Sequence, residues 1–446
     1  MKKKTLLVFF LIVLIISCER KLRPVSTVVH PSWSINKTIY EANIRQFSEE
    51  GTFTAFKERL PELKELGVGI IWLMPVHPIG EVNRKGTLGS YYSVKDYLGI
   101  NPEFGTMDDF KALVQAIHDQ GMYVILDWVA NHTAWDNPLV EQHPDWFTRD
   151  SLGNLMPPVP DWSDVVDLNY DNRELWQYMT DALKFWIEEC DIDGYRCDVA
   201  EMVPIELWEQ AVAGLNQIKP VFMLAEGEAA FLHQRAFNMT YSWRLFHAMN
   251  RIARGKAKAS LIDSLLMQEQ RDYPPNALRM RFTTNHDENS WNGTVFERLG
   301  EAVKTMAVLT ATIPGKPLLY SGQEAGLNKR LNFFEKDPIE WQESTFRLFY
   351  SKLFNLYQNN PAVHWGKMEK ITTDRDDSIY AFVRIFRDDK ILVLLNCSDQ
   401  RQQLEIKSPH LKENYRELFS NIPVRYETTH TFDLEPWAYR VYVKEK

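Results

Sequence analysis

From Thr38 to about Tyr357 the chain is punctuated by eight short apolar runs, most of them followed by a stretch with helical periodicity. The runs are Ile39–Ile44, Ile70–Met74, Tyr123–Trp128, Gly194–Val199, Val221–Ala225, Thr240–Trp243, Arg279–Thr283 and Pro317–Tyr320. Amphipathic helical patterns cover Phe53–Leu66, Met107–Gln120, Arg173–Glu189, Ile205–Ile218, Ala259–Glu269, Ala302–Ala311 and Gln342–Tyr357. Strands alternating with helices read as βα units, and eight of them predict an α/β fold of the (β/α)8 TIM-barrel type. Such a barrel takes about 250 residues, fewer than the span 36–360 assigned to it. The surplus falls mainly at 133–171, after the third run. That stretch has five prolines, scattered tryptophans and no helical period. It reads as a small subdomain inserted over one side of the barrel mouth.

After Asn360-Pro361 the pattern changes to strict alternation. Ser378–Phe386 and Ile391–Asn396 flank Arg387-Asp388-Asp389-Lys390, a hairpin signal, and further strand-like runs follow at Gln403–Ile406, Thr431–Leu434 and Tyr439–Val443. Residues 361–446 are therefore expected to form a C-terminal antiparallel β-sandwich.

The first residues read as a targeting segment. Lys2-Lys3-Lys4 precede an apolar run from Leu6 to Ile16, too short to span a bilayer, and Ser17 stands directly before Cys18. This resembles a bacterial lipoprotein signal over 1–17, with Cys18 as the lipidated first mature residue and 18–35 as a tether. The expected location is the cell envelope, on the outer membrane. The absence of an acidic run after Cys18 favours its periplasmic side.

A net charge of -9 and a pI near 5.7 argue against nucleic acid as a partner and suit a neutral polymer. The 14 Trp, 18 Tyr and 24 Phe are enough to stack on sugar rings as well as fill a core. Beyond Cys18, the cysteines Cys190, Cys197 and Cys397 form no CxxC spacing. They imply neither a disulfide framework nor a zinc site.

Polar chemistry gathers where apolar runs end. Asp127-Trp128-Val129-Ala130-Asn131-His132, Gly194-Tyr195-Arg196-Cys197-Asp198, Leu224-Ala225-Glu226-Gly227-Glu228 and Thr284-Asn285-His286-Asp287-Glu288 all sit at such points. In a strand, residues two apart share a face, so Arg196 and Asp198 point into the barrel and Cys197 toward the helices. A guanidinium beside Asp198 is expected to keep it ionised. The alternative is an Arg–Asp pair that only fills the barrel. Glu226 lies farther from the loop than Glu228 and is the better acid; neighbouring negative charge would raise its pKa. Asp287 supplies a third carboxylate, and His132 and His286 supply hydrogen-bond donors. Carboxyl groups of unlike protonation flanking an anomeric carbon are what glycoside hydrolysis requires.

In order and content the four segments resemble the four short sequence regions of the α-amylase family, glycoside hydrolase family 13. Val166-Asp167-Leu168-Asn169 resembles its extra region, and Ser90 to Tyr97 the segment carrying a stacking tyrosine, here Tyr92. The resemblance implies a retaining mechanism on α-linked glucose in starch, glycogen or maltodextrins. Asp198 would be the nucleophile, Glu226 the acid/base and Asp287 the transition-state stabiliser, with Tyr92, His132, Arg196 and His286 binding substrate. Internal attack on α-1,4 bonds is the leading expectation. The alternatives are an exo-acting, debranching or transglycosylating relative, or a non-catalytic, membrane-anchored glucan-binding protein. Asn131 and Asp167 match calcium ligands of the family, although Asn131 also fits a satisfied loop residue. Glu201-Met202 replaces a Lys-His pair common after the nucleophile, which counts against a full Ca2+ site and the usual leaving-side contacts.

Overall fold

A computed structural model describes residues 24–446. The expected signal over 1–17 and Cys18 lie outside the described residues. Eight parallel strands close a barrel. They are β1 (Ile39–Ala42), β2 (Ile70–Leu73), β3 (Tyr123–Trp128), β6 (Gly194–Cys197), β7 (Phe222–Ala225), β8 (Met239–Tyr241), β9 (Leu278–Arg281) and β10 (Lys316–Tyr320), and β4 (His132–Ala134) and β5 (Val165–Asp167) pair within the insert. The barrel order is β1-β10-β9-β8-β7-β6-β3-β2. Alternate residues serve two cores. Ile39, Ile70, Trp72, Ile125, Leu224 and Met280 pack inside the barrel. Tyr40, Ile71, Val124, Tyr195, Cys197 and Met223 pack outward against the helices.

Several boundaries differ from expectation for identifiable reasons. The helix expected over Phe53–Leu66 is two, Phe53–Glu58 and Leu60–Leu66. Pro61, in the first turn of the second, lacks an N–H and would clash with the turn before it. The run Thr240–Trp243 ends as a strand at Tyr241, and Trp243 opens a helix to Ala253 that buries Leu245, Phe246, Met249 and Ile252. The expected tether is, from residue 24 to 35, laid on the barrel floor. Thr27 N–H donates to Gln234 O at 2.9 Å, and Trp33 stacks on Tyr123 with centroids 4.0 Å apart. No helix among the described residues is long and apolar enough to cross a membrane.

The C-terminal part begins after the helix Thr345–Asn359. Its strands are β11 (Lys367–Ile371), β12 (Ile379–Phe386), β13 (Asp389–Asn396), β14 (Gln402–Lys407), β15 (Asn414–Glu417), β16 (Pro423–Arg425), β17 (Thr429–Leu434) and β18 (Tyr439–Lys444). Six form one antiparallel sheet, β11-β12-β13-β18-β15-β16, and β14 pairs with β17. Tyr380, Phe382, Ile391, Val393 and Leu395 join the core shared with the barrel helices. Their neighbours Ile379, Ala381, Val383, Leu392 and Leu394 form a separate core with Leu404, Ile406 and Phe432 of β14 and β17. At the junction, buried Arg384 donates to Thr312 O at 2.8 Å and to Gly366 O at 2.9 Å.

The start of β6 permits only glycine. Gly194 has φ +150°, and a Cβ there would lie 1.9 Å from the Phe222 carbonyl oxygen of β7. Gly194→Ala is expected to break this strand pair and cost more than about 3 kcal/mol, read as loss of soluble folded protein or a large fall in melting temperature.

Candidate active site

Strand pairing sets the first contact. β3 and β6 are parallel with Asp127 opposite Arg196, and both side chains are fully buried. Arg196 Nη1 donates to Asp127 Oδ1 and to Asp198 Oδ1, each at 2.9 Å. Its Nη2 lies 2.9 Å from Glu226 Oε2, and its Nε donates to the Tyr241 hydroxyl at 3.2 Å. The Nη2 contact is a charge contact without hydrogen-bond alignment. One cation thus serves three carboxylates. Asp127 also accepts from Trp72 Nε1 and from the Tyr92 hydroxyl, each at 3.1 Å.

Arg196 stands beside Asp198 as expected, but its pull is divided among three carboxylates. Burial pushes the Asp198 carboxyl well above the usual range; Glu226 adds to the rise, and the pull of Arg196 does not offset them. Burial likewise raises Asp127 against the pull of Arg196.

Asp287 is governed differently. Burial opposes its charge, but His286, with Nε2 3.2 Å from Asp287 Oδ2, holds the carboxyl below the usual range. Burial would lower the His286 pKa, yet Asp287 on one side and Glu41 on the other raise it well above 6.5. Its Nδ1 bonds Glu41 Oε1, and its Nε2 is 2.8 Å from the Tyr92 hydroxyl. Since that hydroxyl donates to Asp127, a protonated His286 is the donor here. His132, by contrast, is pushed down to about 3 by burial and is neutral.

The residue after Asp198 is strained. Val199 is β-branched and has φ 34°, ψ 47°, a conformation that costs about 1–3 kcal/mol. Its N–H donates to Glu226 Oε2 at 2.8 Å, which aims that carboxyl. Glu226, not Glu228, faces the cleft: Glu228 Oε1 is turned to Arg279 Nη2 at 2.7 Å. Glu201 accepts from the N–H groups of Glu228 and Ala229, pinning the loop just past Glu226.

A cleft of about 440 Å³ at the strands' C-terminal ends is lined by Asp198, Glu226, Asp287, Tyr92 and His132. Arg196 and His286, expected against the substrate, lie beneath this floor and position its carboxylates. Asp127 and Glu41, absent from the sequence expectation, belong to the same layer. Asp127 carried a signal, being a charge inside the apolar run Tyr123–Trp128. The aromatic lining from Trp162, Trp291, Phe333 and Phe334 comes from loops that show no period.

Asn131 directly precedes β4 and Asp167 ends β5, and the register of that pair sets His132 against Asp167. Asn131 Nδ2 is 3.2 Å from His132 Nδ1. Among the described residues no three His, Cys, Asp or Glu side chains gather as a metal site. Calcium takes six to eight oxygens, which main-chain carbonyls, amides and water can supply beside carboxylates, and no chemical step is assigned to a metal. A melting temperature that falls on EDTA treatment and returns with Ca2+ would establish a site at Asn131 and Asp167; an unchanged one would remove it.

Comparison with known proteins establishes the family and the fold. Residues 34–152 and 161–378 match the family described as alpha amylase, catalytic domain, and residues 368–441 match maltogenic amylase, C-terminal domain. The chain belongs to the α-amylase family of glycoside hydrolases. A maltogenic α-amylase of Thermotoga neapolitana is 32% identical with TM-score 0.84, over 92% of this chain and 100% of that one. An α-amylase of Lactobacillus plantarum is 31% identical with TM-score 0.82, over 92% and 99%. The α-amylase MalA of Haloarcula japonica is 28% identical over 390 residues, 83% of this chain but 56% of its own length. The chain therefore spans a little over half of that relative.

The charge balance carries a stability prediction. A carboxyl whose folded pKa is raised above 3.8 contributes stability that is complete below 3.8 and is lost as pH rises through the folded value. Asp198→Asn removes that loss. At pH 7 it is expected to melt about 1 °C above the unaltered protein, roughly 1 kcal/mol, with the gap narrowing toward pH 4. A variant that melts lower at every pH would show that the carboxylate is not a burden on the fold.

Proposed function

We propose that the protein is a retaining glycoside hydrolase that cleaves α-1,4-glucosidic bonds in starch, glycogen or maltodextrins. The observation that carries this reading is the sharing of Arg196: Asp198 lies on Nη1 and Glu226 on Nη2, both open to one cleft. Two neighbouring carboxyls of this kind suit double displacement. Asp198, as a carboxylate, attacks the anomeric carbon and displaces the glycosidic oxygen, which takes its proton from Glu226. Glu226 then takes a proton from water as that water attacks the glycosyl-Asp198 ester. Asp287, held ionised by His286, faces the charge that develops on the ring. Tyr92 offers a flat apolar wall, and His132, being neutral, donates a single hydrogen bond. A purely glucan-binding role gives no reason to sustain such costly charges at the cleft floor.

Asp198→Asn should abolish release of reducing ends from maltoheptaose while binding of the sugar persists. Full turnover in a folded variant would remove Asp198 as nucleophile. Glu226→Gln should lose about 100- to 10,000-fold on natural chains and much less on glycosides with activated leaving groups. Equal losses on both would count against its acid role.

We also propose attachment to the outer membrane, on its periplasmic side, through lipidated Cys18. Support comes from Lys2-Lys3-Lys4, the apolar run Leu6 to Ile16 and Ser17-Cys18. Labelled palmitate should enter the intact protein and be lost with Cys18→Ala; equal labelling of both would refute the anchor.

A further inference from the structure

The cleft is walled on the side that faces away from Glu226. In the closed strand order, β7, which Glu226 directly follows, stands opposite β1, and β10 and β2 flank β1. The loops after β2 and β10 and the insert after β3 meet over this arc. Lys85 Nζ donates to Asp161 O at 2.6 Å and pairs with Asp164 Oδ1 at 3.0 Å. Two residues on, Thr87 N–H donates to Glu335 Oε1 at 2.9 Å, and its hydroxyl bonds the other carboxylate oxygen. Leu88 N–H donates to Phe334 O at 3.1 Å. Gly86 allows the approach: it has φ +65°, and a Cβ would lie 2.5 Å from Phe334 Cβ. Asp164 is nearly buried at 8% exposure, so its pair with Lys85 is better shielded than a surface ion pair. Lys85, Trp162, Asp164, Phe333 and Phe334 all line the cleft.

The opposite arc has no such cross-ties to the insert among the contacts of Glu201, Met202 and Phe231. Glu201 ties the loops after β6 and β7 to each other, and beside them Met202 and Phe231 stand 47% and 43% exposed. Chemistry orients a sugar chain between these two sides. Glu226 protonates the departing oxygen, so the departing part of the chain extends toward Glu226 and the arc of β6 and β7. The part attacked by Asp198 extends away, toward the wall, and its far end is the non-reducing end.

We propose that the wall makes the cleft a dead end for the glycone part. The protein then attacks α-glucans from their non-reducing ends and releases a short product of fixed length, in place of the internal attack expected from sequence. Lys85 is the specificity-determining residue, because it locks the insert to the loop that seals against Phe334. This inference rests on the α-glucan hydrolase reading above.

The test uses two nitrophenyl maltoheptaosides, one with a free non-reducing end and one with that end blocked by a 4,6-O-ethylidene bridge. The free chain should give one short product, and the blocked chain should turn over about 100-fold more slowly. Equal turnover of both, with mixed products, would overturn the dead end and leave the hydrolase reading intact. Failure on both by folded protein would overturn the hydrolase reading, and the dead end with it. In a Lys85→Ala/Glu335→Gln double variant the blocked chain should gain about tenfold, the equivalent of about 1.4 kcal/mol, with broader products. An unchanged ratio of blocked to free turnover would remove Lys85 as the determinant.

Discussion

The site is organised around one buried guanidinium. Arg196 has no exposure, and Asp127, Asp198 and Glu226 lie around it. Removing such a cation would strand three carboxylates away from water, at a cost of about 3–5 kcal/mol for a broken buried pair alone. Lysine is no substitute, because a planar fork can meet carboxylates on several edges while an ammonium acts as a point charge. The parallel register of β3 and β6 sets two of these groups opposite each other before any loop contributes. The third arrives on the loop after β7, aimed by the N–H of a strained Val199.

The same arrangement separates carboxyls that share a cleft. Asp198 is pushed up by burial and by Glu226, whereas His286 holds Asp287 down. Unlike environments are how one pocket holds acids and bases at a single pH. His286 is fixed in its charged form between Glu41 and Asp287, so its part is to set the field and orient Tyr92. The fold bears the cost: excess negative charge and a left-handed valine are concentrated where the chemistry lies, and the large apolar cores offset it.

Much of the fold was legible because strand and helix periods are strong over long segments. All eight barrel runs are strands, and the hairpin around Arg387–Lys390 joins β12 to β13 as its alternation implies. The failures have local causes. Pro61 split a helix whose apolar period continued through it. A three-residue β8 passed directly into a helix, so Trp243 was counted in the wrong element. Asp198, Glu226 and Asp287 were readable as carboxylates at strand ends, and the structure brings them to one cleft. Arg196 and His286 were placed a layer too high, since period alone gives a facing and not a depth. Glu41 carried the same signal as Asp127, a charge inside the apolar run Ile39–Ile44, and was not taken up. The meeting of Lys85 with Asp164 and of Thr87 with Glu335 depends on loop paths that no periodicity encodes.

The six-stranded C-terminal sheet is apolar on both faces, with Tyr380 and Phe382 turned to the barrel helices and Ile379, Ala381 and Val383 turned to the small sheet. It is therefore a middle layer and not an appended module. A chain ended near residue 360 would leave barrel helices facing water with an uncovered apolar surface, an invitation to self-association. Shared packing of this kind couples the stability of the two regions. Exchange of this C-terminal region between relatives would succeed only where both faces are matched together.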